Sequence, residues 1–380
     1  MVNMYLLSTA MQQAPLKEIA SLFLRMGLVF GGPAVHTAVM RQEVVVKRKW
    51  LDEQHFLDLL GATNLIPGPN STELAIHIGH EKAGWRGLVV AGLCFILPAV
   101  LITGIIAYLY SLYGQLPQVQ PFVYGIKPAV LAIVPAAVYP LAQKALKSVY
   151  LGITAVIVLA LSLLHFNEVY LLFGAGFVAL TYAAWQQHKT TNSIIPLTLL
   201  KLPTIAVSGN LQLFLIFLKI GAVLYGTGYV LFAFFDTELV SRGLLSRQQL
   251  MDAIAVGQFT PGPIFSSVTF VGYQVNGWQG AVVATIGVFL PAFVFVAMLN
   301  PVVKALRHSK LFTAFLDAVN VAAIAIIFSV CTTMARETIT DWRTIAIAIT
   351  SLGLAFGYPK LNTAWLVLGG SVGGYLLSLI

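Results

Sequence analysis

The sequence predicts an all-α polytopic membrane protein of two inverted repeats, each with about five transmembrane helices plus a re-entrant half-helix hairpin broken at Pro-Gly-Pro. Three observations predict it. Hydrophobic residues make up 58% of the chain and charged residues only 9%, against roughly 25% charged residues in a soluble domain. Stretches such as 87–110 and 149–164 run almost without charge, close to the ~20 residues that cross about 30 Å of hydrocarbon. The chain also repeats itself, and the repeats differ in which loops are basic.

The repeat is read from glycine, proline and tryptophan. Pro67-Gly68-Pro69 and Pro261-Gly262-Pro263 lie 194 residues apart, and the same offset pairs Phe23–Gly27 (FLRMG) with Phe217–Gly221 (FLKIG), Asp58 with Asp252 and Asn64 with Gln258. After one deletion, Gly84-Trp85 matches Gly277-Trp278, Gly87 matches Gly280 and Pro98 matches Pro291. Such self-similarity marks a duplicated unit. The expected division is a repeat over 1–185, a polar, proline-bearing linker over 186–209 and a second repeat over 210–380.

Loop charge then orients the halves. The first repeat carries Arg41, Lys47, Arg48 and Lys49 after its first segment, whereas the matching 236–249 sets Arg242 and Arg247 against Asp236 and Glu238. Conversely 111–120 is uncharged, while its counterpart holds Lys304, Arg307 and Lys310. Basic loops stay cytoplasmic, so matched loops lie on opposite faces. Because 41–49 and the pair Lys82 and Arg86 both read as cytoplasmic, residues 54–79 must enter the membrane and return. Asp52 is expected to cap the entering helix, with Ser246 and Gln249 forming a capping box on its counterpart. Full crossings are expected at roughly 16–40, 86–110, 121–143, 149–165 and 168–185.

Other signals bound the reading. The stretch MVNMYLLSTAMQQAPLKE has no basic segment typical of a cleaved signal peptide. Cys94 and Cys331 lie in apolar runs and read as small hydrophobes rather than a metal or disulfide framework. The net charge of +8 is a topology signal and implies no nucleic acid. No Walker A sequence is present, HEKAG at His80 lacks the second histidine of a zinc protease, and no metal or cofactor is expected. The glycosylation sequon at Asn70 is accidental at membrane depth. The run Gly369–Gly374 fits tight helix packing or a homodimer contact.

The broken segments carry the chemistry. Proline frees the carbonyls of the preceding turn, and the half-helix after it starts with N–H groups that lack intrahelical partners. Such starts attract anions. Asn70, Ser71 and Thr72 add side-chain donors to the first, and Ser266, Ser267 and Thr269 to the second. Gly31-Gly32-Pro33 and Gly226-Thr227-Gly228 interrupt the first segment of each half, for close packing or for ligand contact. Ionisable residues at membrane depth are costly and usually functional. Arg25 and Lys219 occupy matched positions and could either grip a divalent anion or snorkel to the interface. Lys127 has no basic counterpart. Glu73, His36 and His77 are candidates for carrying a proton.

These residues resemble the chromate ion transporter family over nearly the whole chain. The first half carries FGGPAVHTAVM, KWLDEQHFLDLL, NLIPGPNSTELAIHIG and GWRGLVVAGLCFILPAVL; the second carries GTGYVL and GQFTPGPIFSSVTFVGYQVNGWQGAVVATIGVFLPAF. The resemblance implies a multi-pass transporter of the bacterial cytoplasmic membrane that exports chromate at the expense of the proton gradient. It carries function onto Gly31, Gly32, Pro33, Pro67, Gly68, Pro69, Asn70, Gly226, Gly228, Pro261, Gly262 and Pro263. LFAFFDTELVSRG departs from the family by being less basic and more aromatic, and the family takes Gln as readily as Glu at position 73. Sulfate or another oxyanion as the cargo, and a passive anion channel, stay open beside it. A membrane-embedded enzyme lacks any recognisable nucleophile–base pair.

Overall fold

The computed structural model describes residues 14–114, 116–187, 209–225, 228–306, 309–358 and 361–379, and among these it is all-helical. Gly226, Thr227, Arg307 and nearly all of the expected linker lie outside the described residues, as does the N-terminal stretch before Ala14.

The first expected crossing, 16–40, is two short helices. In α1 (Leu16–Met26) the residues Ile19, Leu22, Phe23 and Met26 form one buried stripe at helical spacing. The chain leaves helical geometry at Gly27–Gly32 and re-enters at α2 (Pro33–Arg41), whose first residue is a proline, the position where its missing N–H costs nothing. A π-helical turn, Gln42–Lys47, follows. Here Glu43 pairs with Lys47 at 2.6 Å and with Arg48. The Lys47 hydrogen bond, joined by Arg48, holds the Glu43 carboxyl below the usual carboxylate range.

In α3 (Glu53–Thr63), Asp52 caps the start, its Oδ1 accepting from His55 N–H at 2.8 Å. The helix stops ahead of the first Pro-Gly-Pro. Then α4 (Asn70–Tyr113) runs to Ala83, turns at Gly84 with φ +55° and continues. Its two arms fold back on each other: a Cβ on Gly87 would fall 2.0 Å from the Gly79 carbonyl oxygen, eight residues up a chain that a straight helix would carry about 12 Å away. Trp85, exposed at the turn, suits the membrane interface.

The next helices are α5 (Gln120–Ala145), α6 (Val149–Leu163), α7 (Glu168–Gln187) and α8 (Asn210–Val223). After α9 (Val230–Phe235) and a second π-helical turn, Ser246 and Gln249 make the capping box that opens α10 (Arg247–Phe259). Past the second Pro-Gly-Pro, a 3-10 turn at Ile264–Ser266 leads into α11 (Ser267–Leu306), which reverses at Gly277, again at φ +55°, with Gly272 and Gly280 in the roles of Gly79 and Gly87. The chain closes with α12 (Lys310–Thr338), α13 (Trp342–Gly357) and α14 (Thr363–Ser378). Five of these helices are long and apolar enough to cross a membrane: α4, α5, α7, α11 and α12.

Two packing relations position everything else. The second arms of α4 and α11 run antiparallel, since Gly92 sits against Phe293 while Gly104 sits against Trp278. Each is braced by a helix from its own half: a Cβ on Gly27 of the α1 end would lie 2.4 Å from Phe95 O, and one on Gly221 of α8 would lie 2.2 Å from Val288 O. Outside this centre the halves exchange helices. The first half's α5 packs on α13 and α14, and the second half's α12 packs on α6 and α7. Gly370 and Gly374 meet Gly125 backbone to backbone, so the glycine run serves packing within the chain.

Leucine at Gly87 or Gly280 would collide with main chain, and we expect either substitution to abolish the monodisperse peak of detergent-solubilised protein in size-exclusion chromatography. Gly84→Ala meets open space, but at φ +55° and ψ −143° it enters a region nearly reserved for glycine, and it is expected to cost about 1–3 kcal/mol, read as a fall in melting temperature.

Candidate functional site

Helix breaks from both halves converge, and main-chain hydrogen bonds cross between them. Gly68 N–H donates to Leu224 O at 2.8 Å, and Gly262 N–H donates to Val29 O at 3.0 Å. Each Pro-Gly-Pro thus satisfies a carbonyl freed by the interrupted first helix of the other half. Both glycines have positive φ, +139° and +87°, the region that favours glycine. A Cβ at Gly262 would lie 2.7 Å from Gly27 O and 2.9 Å from Ala99 Cβ, and one at Gly68 would lie 3.9 Å from Ala292 Cβ. Ala99 is midway along 85–113 and Ala292 midway along 278–306, so both breaks sit at mid-length of the long central arms. His36, buried in α2, places Nε2 3.1 Å from the same Val29 carbonyl.

At the first break the α4 start has no side-chain cap. Pro67, Gly68 and Pro69 are buried. Asn70 donates one amide hydrogen to Asn64 Oδ1 at 2.8 Å, which leaves its second amide hydrogen as a donor. Ser71, Thr72, Glu73 and His77 are buried. Thr72 Oγ1, both Glu73 carboxyl oxygens and His77 Nε2 have no hydrogen-bond partner. Glu73 Oε1 fills the space beside Gly68, where a Cβ would be 2.4 Å away. The neighbouring lining, Ile66, Ile76, Leu88, Ala292 and Val296, is apolar.

The second break is built from hydroxyls. Pro261 to Thr269 are buried throughout, and the 3-10 turn again lacks a side-chain cap. Thr103, fully buried on α4, lies with Oγ1 3.3 Å from Ser266 Oγ and 3.5 Å from Thr260 Oγ1. Ser267 Oγ and Gln258 Nε2 have no hydrogen-bond partner. Gly228 sits against Ile264 and Phe265. Gly31, at φ +136°, is needed for its backbone, whereas Gly32 faces open space. Pro33 serves as the first residue of α2.

The two candidate cations are placed differently. Arg25 is exposed and off the buried stripe of α1. Lys219 commits its ammonium to Glu238 at 2.6 Å, and Arg242 binds the other Glu238 oxygen at 2.6 Å. Three contributors escaped the sequence reading. Thr103 is a single hydroxyl in an apolar run, Thr260 precedes the second Pro-Gly-Pro, and Gln258 entered only as the match of Asn64; the buried polar side chain in a hydrophobic stretch was the available signal for each. A further cluster joins Asp252 of α10, buried, to Tyr110 Oη at 2.5 Å, with Lys127 of α5 as its neighbouring cation. We expect Lys219→Gln to lower thermal stability by about 1–3 kcal/mol, because it strips one of two partners from the buried Glu238 carboxylate, and to leave the apparent KM for the anion unchanged. A tenfold rise in KM would return Lys219 to the anion site.

Comparison with known proteins follows the same two-part division. The chromate transporter family profile matches residues 17–180 and 211–375. A probable chromate transport protein of Synechococcus elongatus is 31% identical over 89% of this chain and 89% of its own. Chromate transport proteins of Cupriavidus metallidurans and Pseudomonas aeruginosa are 29% and 30% identical, over 94% and 95% of this chain and 92% of each relative. No solved structure matches. With an all-helical architecture among the described residues and a two-part family match spanning most of its length, the chain belongs to the chromate transporter family, whose members are transport proteins rather than enzymes.

Proposed function

We propose that this protein is a secondary transporter that exports chromate, a tetrahedral divalent oxyanion, across the bacterial cytoplasmic membrane at the expense of the proton gradient, conferring chromate resistance. The observation that carries the reading is the pair of helix starts without side-chain caps at mid-length of the long central arms, with unpartnered buried polar side chains around them. Half-helix N-termini aimed at an anion near the bilayer centre are a recurrent transporter solution, and irregular backbone survives at that depth only against protein or a lined cavity.

Inverted repeats and re-entrant hairpins belong to this reading. Trp85 and Trp278 open equivalent arms, yet Trp278 packs at Gly104, nineteen residues beyond Trp85, about 28 Å along the α4 arm. Equivalent turns at opposite ends of one arm are what inversion requires. The basic segment Arg41–Lys49 then marks the cytoplasmic side. Export is the direction the membrane potential favours: a divalent anion leaving a negative cytoplasm gains about 4.6 kcal/mol per 100 mV. Glu73 and His77, four residues apart on one face of α4, with both Glu73 carboxyl oxygens and His77 Nε2 without hydrogen-bond partners, are the proton carriers, with His36 bonded to the adjoining break.

Everted vesicles from cells expressing the chain should accumulate chromate when a proton gradient is imposed, with weak competition by sulfate. Flux that ignores the gradient and follows voltage would instead identify a passive channel, and strong competition by sulfate would make sulfate the cargo. Glu73→Gln is expected to keep gradient-free exchange while lowering gradient-driven accumulation at least tenfold.

A further inference from the structure

We propose that the two breaks divide the labour: the second alone holds the oxyanion, with Thr103, Ser266, Ser267, Thr260 and Gln258 as its polar lining, while the first, occupied by Glu73, takes no anion. The inference rests on the reading of the chain as an oxyanion transporter and names which of its two symmetric places is the binding site.

The argument is a comparison of matched positions. Glu73 corresponds to Ser267, Thr72 to Ser266, Ile66 to Thr260 and Val296 to Thr103. One break thus sets the Glu73 carboxyl group beside Ser71, Thr72 and His77 over an apolar lining, and the other gathers four hydroxyls with no carboxylate. The inventory of unpartnered atoms differs in kind. At the first break it comprises the carboxyl oxygens of Glu73, Nε2 of His77 and the Thr72 hydroxyl. At the second it comprises the Ser267 hydroxyl and the Gln258 amide nitrogen, with Nδ1 of His36, whose Nε2 meets the adjoining Val29 carbonyl, and no carboxyl group. Gln258 lies beside the Tyr229 hydroxyl, yet its Nε2 makes no well-formed hydrogen bond. A hydroxyl and an amide nitrogen can donate to a fully deprotonated oxyanion; an ionised carboxylate repels it.

The hydroxyl network also has a direction. Thr260 Oγ1 donates to Val256 O at 2.7 Å, so toward Thr103 it acts as an acceptor. Thr103 makes only long contacts to this pair, 3.5 Å to Thr260 and 3.3 Å to Ser266, against about 2.7–2.8 Å for a well-formed O–H···O bond. Its proton can therefore pass to a bound oxyanion, as can that of Ser266. Ser267 has room because Gly257 faces it: a Cβ there would lie 3.1 Å from Ser267 Cβ. In the first half Thr63 stands at the position of Gly257, buried and donating to Leu60 O at 2.9 Å. Thr103 comes from the first half and the other members from the second, so the anion would touch both halves at once. A movement between the halves would then change its coordination directly.

The test is equilibrium binding of radiolabelled chromate, and separately of sulfate, to the purified full-length protein by scintillation proximity. Thr103→Val and Ser267→Ala are each expected to raise Kd about tenfold or more, the scale of one lost hydrogen bond to a charged partner. Thr103→Ser, which keeps the hydroxyl, should stay within about threefold of wild type and guards against a mere folding defect. Thr72→Val, the mirror substitution at the first break, should stay within about twofold. Equal weakening by Thr72→Val and Thr103→Val, or no weakening by Thr103→Val and Ser267→Ala, would overturn the division while leaving the transport reading intact. Wild-type protein that binds neither anion would overturn both.

Discussion

A proline-flanked glycine has one peptide N–H to give, because its proline neighbours have none. In this protein both such N–H groups, at Gly68 and Gly262, go to carbonyls of the opposite half. An unpaired peptide group at membrane depth costs several kcal/mol, so neither break could persist at that depth without the other half. The remaining architecture follows from this reciprocity. The first helices must be interrupted to expose Val29 O and Leu224 O, the hairpin helices must reach the middle of the long arms, and the arms must cross closely enough for Ala99 to touch Gly262. The proposed anion chemistry is assigned to the same place because the interrupted helices of both halves meet there.

Close approach is achieved with small residues rather than with apolar driving force, since lipid competes equally for apolar side chains. Gly79 with Gly87, Gly27 with Phe95 and Gly125 with Gly370 are all contacts in which backbone meets backbone. The phenylalanines and branched side chains fill the larger apolar core, which draws on both halves.

Much of this was legible in the sequence because it is written in local symbols. Both Pro-Gly-Pro breaks, the caps at Asp52 and Ser246 and the long apolar helices at 85–113, 120–145 and 168–187 depend on residues near one another in the chain. The crossing expected at 149–165, by contrast, is a helix of 15 residues, shorter than the ~20 that span a bilayer. The first crossing was less legible: its interruption by glycines could be seen, but not that it divides into α1 and α2. Partner choice was not legible. Nothing in α5 says that it will pack on α13 and α14, and the glycine run at 369–374 could equally have met another copy. Thr103 was missed because its meaning comes from Ser266 and Thr260, far away in sequence. Lys219 looked free because its partner, Glu238, lies on a turn that follows a break.

The helix exchange has a consequence for how such a chain can change over generations. Because α5 finds its neighbours in the second half and α12 finds its own in the first, the duplicated copies are tied as reading partners. A bulkier side chain at Gly125 would strike the main chain of Gly370 and Gly374, which have no side chain left to lose, so the two helices would have to move apart. The copies were therefore free to specialise at the breaks, where one acquired Glu73 and the other Ser267, while their outer helices had to drift in step. Divergence in chemistry and conservation of fit are here properties of different layers of the same molecule.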